Sequence, residues 1–548
     1  MLLDNTLLDS DDILTPDDFE SCLNARGLYS PQQFVLRLNP RIHELIDSLS
    51  DKTIIYGNAI DEDTLQAYST YIHETVHWWQ HKGSTSGFIR SMLYPSQTHG
   101  NMQHLLDLTA LVGPNKSIQA WAEDVQERDM FRPPRADSLA NSIVNNFMDT
   151  EFYLALTYNP ELATDIYTNK YFECAGHSFN VAYGHVLLAL RDTIDQEGLV
   201  IPDDSGWENE FTALRDKKVD GYYKTTPITM APVGLLHIME GQARFIQLQF
   251  LSFATGGITL KETGEAGLLD GNYGKAFTVF LKMTGSVDPE NIDDPLVALF
   301  MLICDLSINP TAGFPSQPFN FEYFYLDADP GIRFAFLCDA VAKQHPELRT
   351  FIKRYSRDEY LEAVRLLAST CDYANPMHAL ESVASWGTIQ PRVARLMEEY
   401  ATFEFCQPNI AVRILLAEFI EFCKDKLQRP EFFCWAGAWL TGNRSGDPER
   451  HLWLKHLSLY SDKADDGGIF PRMTPGRKED AIHTAFNSFY AAIISYDMTK
   501  QWVLRKGPFK LEYRWLTKTY SDEAVSQSAK GVFQKIYGVS IDDFYIAP

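Results

Sequence analysis

Residues 61–83 read DEDTLQAYSTYIHETVHWWQHKG, and this stretch decides how the rest of the chain is interpreted. Three acidic residues open it, and carboxylates are favourable there because a helix N-terminus has unpaired amide donors and a positive dipole. Lys82 and Gly83 close it with residues typical of a helix C-terminus. Between these ends, apolar residues recur at three- and four-residue steps. They form one face, which consists of Leu65, Tyr68, Ile72 and Trp79. The pattern predicts an amphipathic helix over Asp63–Lys82.

Two histidines lie beside this apolar face. His73 and His77 are four residues apart, so about one helical turn places both imidazoles on the same side. Two histidines with this spacing can supply two of the four ligands of a tetrahedral zinc ion. Glu74 follows the first histidine without being a ligand, and there it can accept a proton from water that the metal activates. The spacing predicts a Zn²⁺ site with His73 and His77 as ligands and Glu74 as the catalytic base.

The pentapeptide HETVH resembles the HExxH motif of the zincin metallopeptidases. A second stretch, residues 232–250, contains Glu240-Gly241-Gln242-Ala243, which looks like the E-G-x-A of the third-ligand helix in gluzincin-type zincins. The resemblance implies that Glu240 is the third zinc ligand. It also implies that the small residues after Glu240 let its helix approach the HExxH helix closely.

The third ligand and the oxyanion donor leave alternatives open. Glu240 follows the histidines at a long distance for this class, and Asp149 and Glu151, on a predicted helix over Ala136–Leu156, are the fallback ligands. A peptidase of this kind needs a donor that stabilises the oxyanion of the tetrahedral intermediate. Candidates close to Glu240 in sequence are Tyr222, Tyr223, His237 and Arg244.

Composition excludes several functional classes. The chain has 548 residues, which favours more than one core, and 45 % of them are hydrophobic, which excludes global disorder. The net charge of −25 repels phosphate groups, so we expect neither nucleic acid nor an anionic membrane as a partner. There is no Gly-rich nucleotide-binding loop.

Cysteine usage and the N-terminus bear on the compartment. The eight cysteines include no CxxC pair, which is typical of buried, reduced thiols in a cytosolic protein. The acidic start of the chain lacks the features of a signal peptide, and no apolar run is long enough to span a bilayer. We therefore expect a cytoplasmic protein.

Helical periodicity dominates the chain, and strand signals are few. The predicted strands are the short segments at residues 53–56, 319–325 and 509–515. The proline-rich stretch Asn309–Pro318 is a predicted boundary. We expect a mainly α fold (α+β with minor strands), with a zincin-like metallopeptidase region over residues 1–308. A helical recognition or regulatory region would follow over residues 319–548.

Together these features predict an intracellular zinc metallopeptidase that acts on a protein or peptide substrate. Because a peptidase inside a cell must be restrained, the sequence favours limited proteolysis of a partner protein, as by an effector or toxin. One alternative is a helical interaction or scaffold protein with a structural or vestigial zinc site. The other is a di-iron carboxylate oxidoreductase, because Glu74-Thr75-Val76-His77 is also an ExxH, although the chain has no second ExxH.

Overall fold

The computed structural model describes residues 3–4, 6–8, 26–49, 54, 60–127, 133–517 and 519–546. Most of these residues lie in α-helices and only a few in short strands, which confirms the predicted mainly α fold with minor strands. Among the described residues, every helix is too short or too polar to cross a membrane.

Twelve α-helices precede the proline-rich stretch among the described residues. They are α1 (Pro40–Asp47), α2 (Glu62–Gly83), α3 (Thr85–Val112), α4 (Ile118–Glu127), α5 (Pro134–Tyr158), α6 (Ala163–Tyr167), α7 (Ala175–Ile194), α8 (Trp207–Asp216), α9 (Leu235–Thr255), α10 (Leu260–Glu265), α11 (Asn272–Thr284) and α12 (Pro295–Ser307). The predicted helix with the two histidines is α2, and the predicted helix with Glu240 is α9.

Eleven α-helices follow that stretch in the described part of the chain. They are α13 (Phe324–Ala328), α14 (Pro330–Lys343), α15 (Arg357–Thr370), α16 (Pro376–Ile389), α17 (Pro391–Thr402), α18 (Ile410–Gln428), α19 (Pro430–Cys434), α20 (Ala436–Trp439), α21 (Asp447–Lys455), α22 (Glu479–Leu504) and α23 (Asp522–Tyr537). The longest of them is α22, with 26 residues.

Six short strands form two sheets within the described residues. They are β1 (Gly27–Ser30), β2 (Val35–Leu38), β3 (Asn115–Lys116), β4 (Tyr460–Lys463), β5 (Asp466–Pro471) and β6 (Tyr545–Ile546). The larger sheet has the order β1-β2-β4-β5, and its central pair, β2 with β4, is parallel with Leu36 opposite Ser461. The smaller sheet pairs β3 with β6 in parallel. Both sheets therefore join residues that are far apart in the chain.

Two predicted strands are wrong, and the third lies outside the described residues except for Ile54. Residues 319–325 form a 3-10 turn and the start of α13, because the side chain of Asn320 caps the backbone N–H of Glu322. Residues 509–515 do bury alternate side chains, but they lie as irregular backbone on helices. There the side chain of Gln501 bonds both the N–H and the C=O of Lys510. Alternation thus indicated burial on one side and not strand pairing.

Helix α2 lies at the centre of the molecule, against α3, α9, α18 and the first two strands. Its Trp79 packs against Phe433 and Trp453, with ring centroids 5.2 and 5.7 Å apart. Gly83 lets α18 come close, because a methyl group there would lie 2.1 Å from the Phe422 ring. Elements from both sides of residues 309–318 thus share one hydrophobic core. The division into residues 1–308 and 319–548 stays a prediction.

Candidate metal centre

Helix α2 fixes the positions of the two histidines. The Asp61 carboxylate caps its N-terminus by accepting a hydrogen bond from the Thr64 N–H at 2.9 Å. From there the helix runs unbroken past His73 and His77, both buried. One helical turn brings their imidazoles together, with ring centroids 4.7 Å apart and Nε2 atoms 3.0 Å apart. The two lone-pair positions therefore converge on one point.

Helix α9 brings Glu240 to the same point. Its Oε2 lies 3.1 Å from His77 Nε2 and 3.4 Å from His73 Nε2. Two ligand atoms bonded tetrahedrally to one zinc ion lie about 3.3 Å apart, given zinc–ligand bonds of ~2.0–2.1 Å. All three observed separations are close to that value. Among the described residues, this is the single group of three or more such side chains whose ligand atoms converge closely enough to hold a metal ion.

Electrostatics within this group favour a bound cation. Burial lowers the pKa of His73 to about 3, so this imidazole stays neutral. Burial also disfavours charge on His77, but the Glu240 carboxylate beside it raises the pKa of His77 to about 9. Burial alone would raise the pKa of Glu240, but the charge of the neighbouring His77 lowers this pKa overall. A metal cation between the three atoms would satisfy the carboxylate in place of the His77 proton.

Gln80 orients one of the ligands. Its Oε1 lies 2.8 Å from His77 Nδ1, so that nitrogen can donate its proton to Gln80 and leave Nε2 available for a cation. Its amide nitrogen donates to the carbonyl of Met239 and to Oε1 of Gln242, both at 2.9 Å, which ties α2 to α9. His73 Nδ1 is buried and has no hydrogen-bond partner among the described residues.

Glu74 lies on the next face of α2. It is only 3 % exposed, and its charge contributes to the raised pKa of His77. Strand β1 packs directly on this side chain, because a methyl group on Gly27 would lie 2.7 Å from Glu74 Cγ and Oε1. Because Gly27 has no side chain, β1 can approach the Glu74 carboxylate closely at this position.

The fallback ligands lie away from this group. Asp149 accepts a hydrogen bond from the Ser178 hydroxyl at 2.8 Å. Glu151 pairs with Lys500, whose Nζ is 2.7 Å from its carboxylate. The structure thus brings Glu240, and neither of these two acids, to the histidines.

The predicted oxyanion donors differ in position. The Tyr222 hydroxyl donates to the carbonyl of Phe321, and the Tyr223 hydroxyl lies 3.4 Å from Asp220, so both are engaged elsewhere. His237 lies one turn before Glu240 on α9, and its Nδ1 accepts the N–H of Gly234 at 3.2 Å. This bond leaves the proton of a neutral His237 on Nε2. Of these three, only His237 lies on the ligand helix.

Arg244 and Tyr273 lie on the His73 side of the group. The Arg244 guanidinium is 3.9 Å above the Tyr273 ring, and the Tyr273 ring is 5.8 Å from that of His73. The charge of Arg244 also contributes to the lowered pKa of His73, after burial. Sequence reasoning did not single out Tyr273. No local pattern marks it, because α11 reaches His73 through its packing on α9.

Gly241 has a different role from the one that the resemblance implies. A methyl group at this position would lie 3.1 Å from Phe300 and 3.4 Å from Ala276. The small residue therefore accommodates α11 and α12. Contacts between α9 and α2 include polar pairs, among them the bonds from the Gln247 amide to the hydroxyls of Ser69 and Thr70, both 3.2 Å.

Comparisons of the chain with protein-family models, with curated proteins and with solved structures each return no match. The resemblance to zincins therefore stands on HETVH and EGQA as they occur in this chain. Function has to be inferred from the chemistry of the residues that the fold brings together.

Proposed function

We propose that the protein is a gluzincin-like zinc metallopeptidase in which His73, His77 and Glu240 hold Zn²⁺ and Glu74 is the general base. One observation carries the proposal: the two histidines of HETVH and the carboxylate of EGQA converge on one point, and Glu74 is close enough for its charge to act on His77. Two imidazoles and one carboxylate are a donor set that zinc prefers, and catalytic zinc sites use three protein ligands of this kind.

The ligand count favours catalysis over a structural zinc site. Structural zinc is enclosed by four protein ligands, whereas three such atoms meet here among the described residues. The Glu240 side chain is 22 % exposed, compared with 4 % for His73 and 9 % for His77, so solvent reaches the group from the Glu240 side. A single carboxylate in the group also favours one metal ion over a di-iron centre.

Each residue of the site has a separate role in the proposed peptide hydrolysis. Bound zinc supplies Lewis acidity, which makes water more acidic and polarises a carbonyl group. Glu74 accepts the proton of the attacking water and delivers it to the leaving amine. Gln80 holds His77 in the orientation that presents Nε2. Arg244, which lies over the Tyr273 ring, adds positive charge on the His73 side and is the proposed stabiliser of the oxyanion.

The proposed substrate is a protein or peptide, and the proposed setting is the cytoplasm. The seven cysteines of the described residues are all free, and five of them are buried, as expected in a reducing compartment. The net charge of −25 continues to disfavour nucleic acid as a substrate. An effector or toxin that cleaves one partner protein fits these properties, and the helices after residue 318 would select that partner.

The decisive experiment compares new protein N-termini in cells that express wild type, Glu74→Gln or Glu44→Gln. Glu44→Gln is the matched control, because it makes the same change at an exposed residue of α1. We expect cleavages in wild type and in the control. Glu74→Gln should lose at least ~10²-fold in rate, the scale of general-base catalysis.

Metal analysis of the same proteins separates the alternatives. We expect about one zinc per chain in all three, since Glu74 is not a ligand. Identical sets of N-termini in wild type and Glu74→Gln would reject peptidase activity in those cells, two irons per chain would favour the di-iron enzyme, and metal-free protein would favour the interaction protein.

A further inference from the structure

The chain's own N-terminal residues cover one face of α2. Gln66, Thr70, Glu74 and Trp78 recur every four residues and therefore lie in one row along the helix. At the start of this row the Asp4 N–H donates to Oε1 of Gln66 at 2.7 Å. One turn later the Thr70 hydroxyl donates to the carbonyl of Leu7, also at 2.7 Å. Leu7 and Leu8 are fully buried.

Strand β1 covers the rest of the row. Gly27 stands against the Glu74 side chain with no room for a methyl group between them. Tyr29 packs on the next turns of α2, with its ring 6.0 Å from that of Trp78 and 5.3 Å from that of His81. We call Asp4, residues 6–8 and β1 the N-terminal cover.

The N-terminal cover separates the base from solvent, whereas the ligand Glu240 is partly exposed. Glu74 is 3 % exposed, whereas the Glu240 side chain is 22 % exposed. A peptide cannot lie between Gly27 and Glu74, because even a methyl group on Gly27 would lie 2.7 Å from the Glu74 side chain. Strand β1 is also an edge strand that pairs with β2 alone among the described strands, so it can separate from α2 without breaking the middle of the sheet.

We propose that the N-terminal cover is an autoinhibitory contact: it shields Glu74, and the site accepts a peptide only after β1 moves away from α2. This inference rests on the proposed hydrolytic function. The chemical reason is that the reacting carbonyl must lie about 3 Å from the attacking oxygen, next to the base, where Gly27 now stands. A peptidase built in this way is made in a restrained form and becomes active when a partner or cleavage displaces the cover.

The test loosens the cover in the zinc-loaded, full-length protein. Tyr29→Ala removes both ring contacts with α2, and Tyr29→Leu is a milder second variant in case the first fails to fold. Tyr537→Ala is the matched control, because that tyrosine is as buried as Tyr29 but packs on Trp502 and Phe533, away from α2. Glu74 accessibility is measured by carboxylate labelling with carbodiimide and glycine ethyl ester, read by mass spectrometry. Activity is measured with fluorescently labelled casein.

We expect Tyr29→Ala to raise both the labelling of Glu74 and the hydrolysis of casein at least tenfold, and Tyr537→Ala to raise neither. Equal labelling of Glu74 in wild type and in the Tyr29 variants would overturn the inference. Increased labelling without increased hydrolysis would show that the cover does not restrain activity, which also overturns it. If Tyr29→Ala and its Glu74→Gln double variant hydrolyse casein equally, the proposed function itself fails, independently of the labelling result.

Discussion

Helix α2 carries two buried polar clusters, and their difference is instructive. The first is the metal-ligand group of His73, His77 and Glu240. The second lies at the end of the helix, where the Lys82 ammonium donates to the Glu418 carboxylate at 2.8 Å. Both partners of that second pair are almost completely buried, with exposures of 1 % and 3 %.

The Lys82 cluster is complete in itself. Lys82 also lies 3.1 Å from His456 Nδ1, and His456 Nε2 lies 2.7 Å from Asp425. Burial, with the charge of Lys82, lowers the pKa of His456 to about 4, so this imidazole is neutral, accepts from Lys82 and donates to Asp425. The Tyr400 hydroxyl donates to the second oxygen of Glu418. Each buried charge therefore has its partner within the protein, as a structural cluster requires.

The metal-ligand group is different. Each of its three side chains can bind a cation, and none of them carries a permanent positive charge. Arg244 is nearby, but its guanidinium lies over the Tyr273 ring and bonds Gln247. The group is also reached by solvent past Glu240, unlike the Lys82 pair. Two polar clusters on one helix thus point to different roles. One joins distant parts of the chain, and the other is suited to an added ion.

The largest effect is expected when the partners of Lys82 are removed altogether. A fragment of residues 1–308 lacks Glu418, His456 and the aromatic partners of Trp79. Because it would expose that core and leave Lys82 unpaired, we expect no cooperative melting by circular dichroism and no stoichiometric zinc. A fragment that melts cooperatively with one zinc per chain would instead support the predicted boundary at Asn309–Pro318.

Removing a ligand should affect the metal and leave the other cluster intact. We expect His77→Ala and Glu240→Ala to lose stoichiometric zinc, because a catalytic zinc site has only three protein ligands. Metal bound to the native state stabilises it, so a chelator should lower the melting temperature of wild type but barely change that of either variant. Elemental analysis and calorimetry measure both effects. Retention of one zinc by Glu240→Ala would show that Glu240 is not the ligand.

Breaking the Lys82 pair should have the opposite signature. Lys82→Met leaves Glu418 buried without its cation, and we expect it to destabilise the protein by about 3–5 kcal/mol while zinc stays at one per chain. Denaturant unfolding with zinc analysis measures this. The double variant Lys82→Met, Glu418→Gln should lose less stability, since it leaves no unpaired charge. A Lys82→Met protein that loses its zinc first would show that the two clusters are coupled.

A smaller effect is expected when the orientation of His77 is disturbed. Gln80→Ala removes the acceptor for His77 Nδ1 and the bonds that tie α2 to α9. Partners of this kind typically change metal affinity by ~10–100-fold, and we expect a loss in that range with all three ligands still present. Competition for zinc with a fluorescent chelator measures the affinity. An affinity equal to that of wild type would show that Gln80 does not orient the ligand.

The smallest effect is expected at the fallback ligand. Glu151→Ala breaks a partly exposed ion pair with Lys500, and such pairs contribute at most about 1 kcal/mol. Zinc content and casein hydrolysis should match wild type. Loss of zinc from Glu151→Ala, together with its retention in Glu240→Ala, would move the third ligand to α5.

Part of the candidate site could be predicted from the sequence. The rest could not, because it depends on contacts between distant segments of the chain. The spacing of His73 and His77 is local, since one helical turn places the two side chains together whatever surrounds them. Glu240 was named by its resemblance to a known motif, and its meeting with the histidines depends on how α9 packs. Tyr273 was missed because nothing in its own segment distinguishes it from a core aromatic residue.

Three features follow from local sequence alone: the helical character of the chain, the ends of α2 and the pairing of two histidines with a neighbouring carboxylate. Each depends on periodicity or capping within a few residues. The tertiary structure decided which acid meets the histidines, which cation pairs with Glu418 and what covers Glu74. Those contacts join residues far apart in the chain, such as Gly27 with Glu74 and Lys82 with Glu418. They form because burial of the shared core brings their helices and strands together, and no local pattern encodes them.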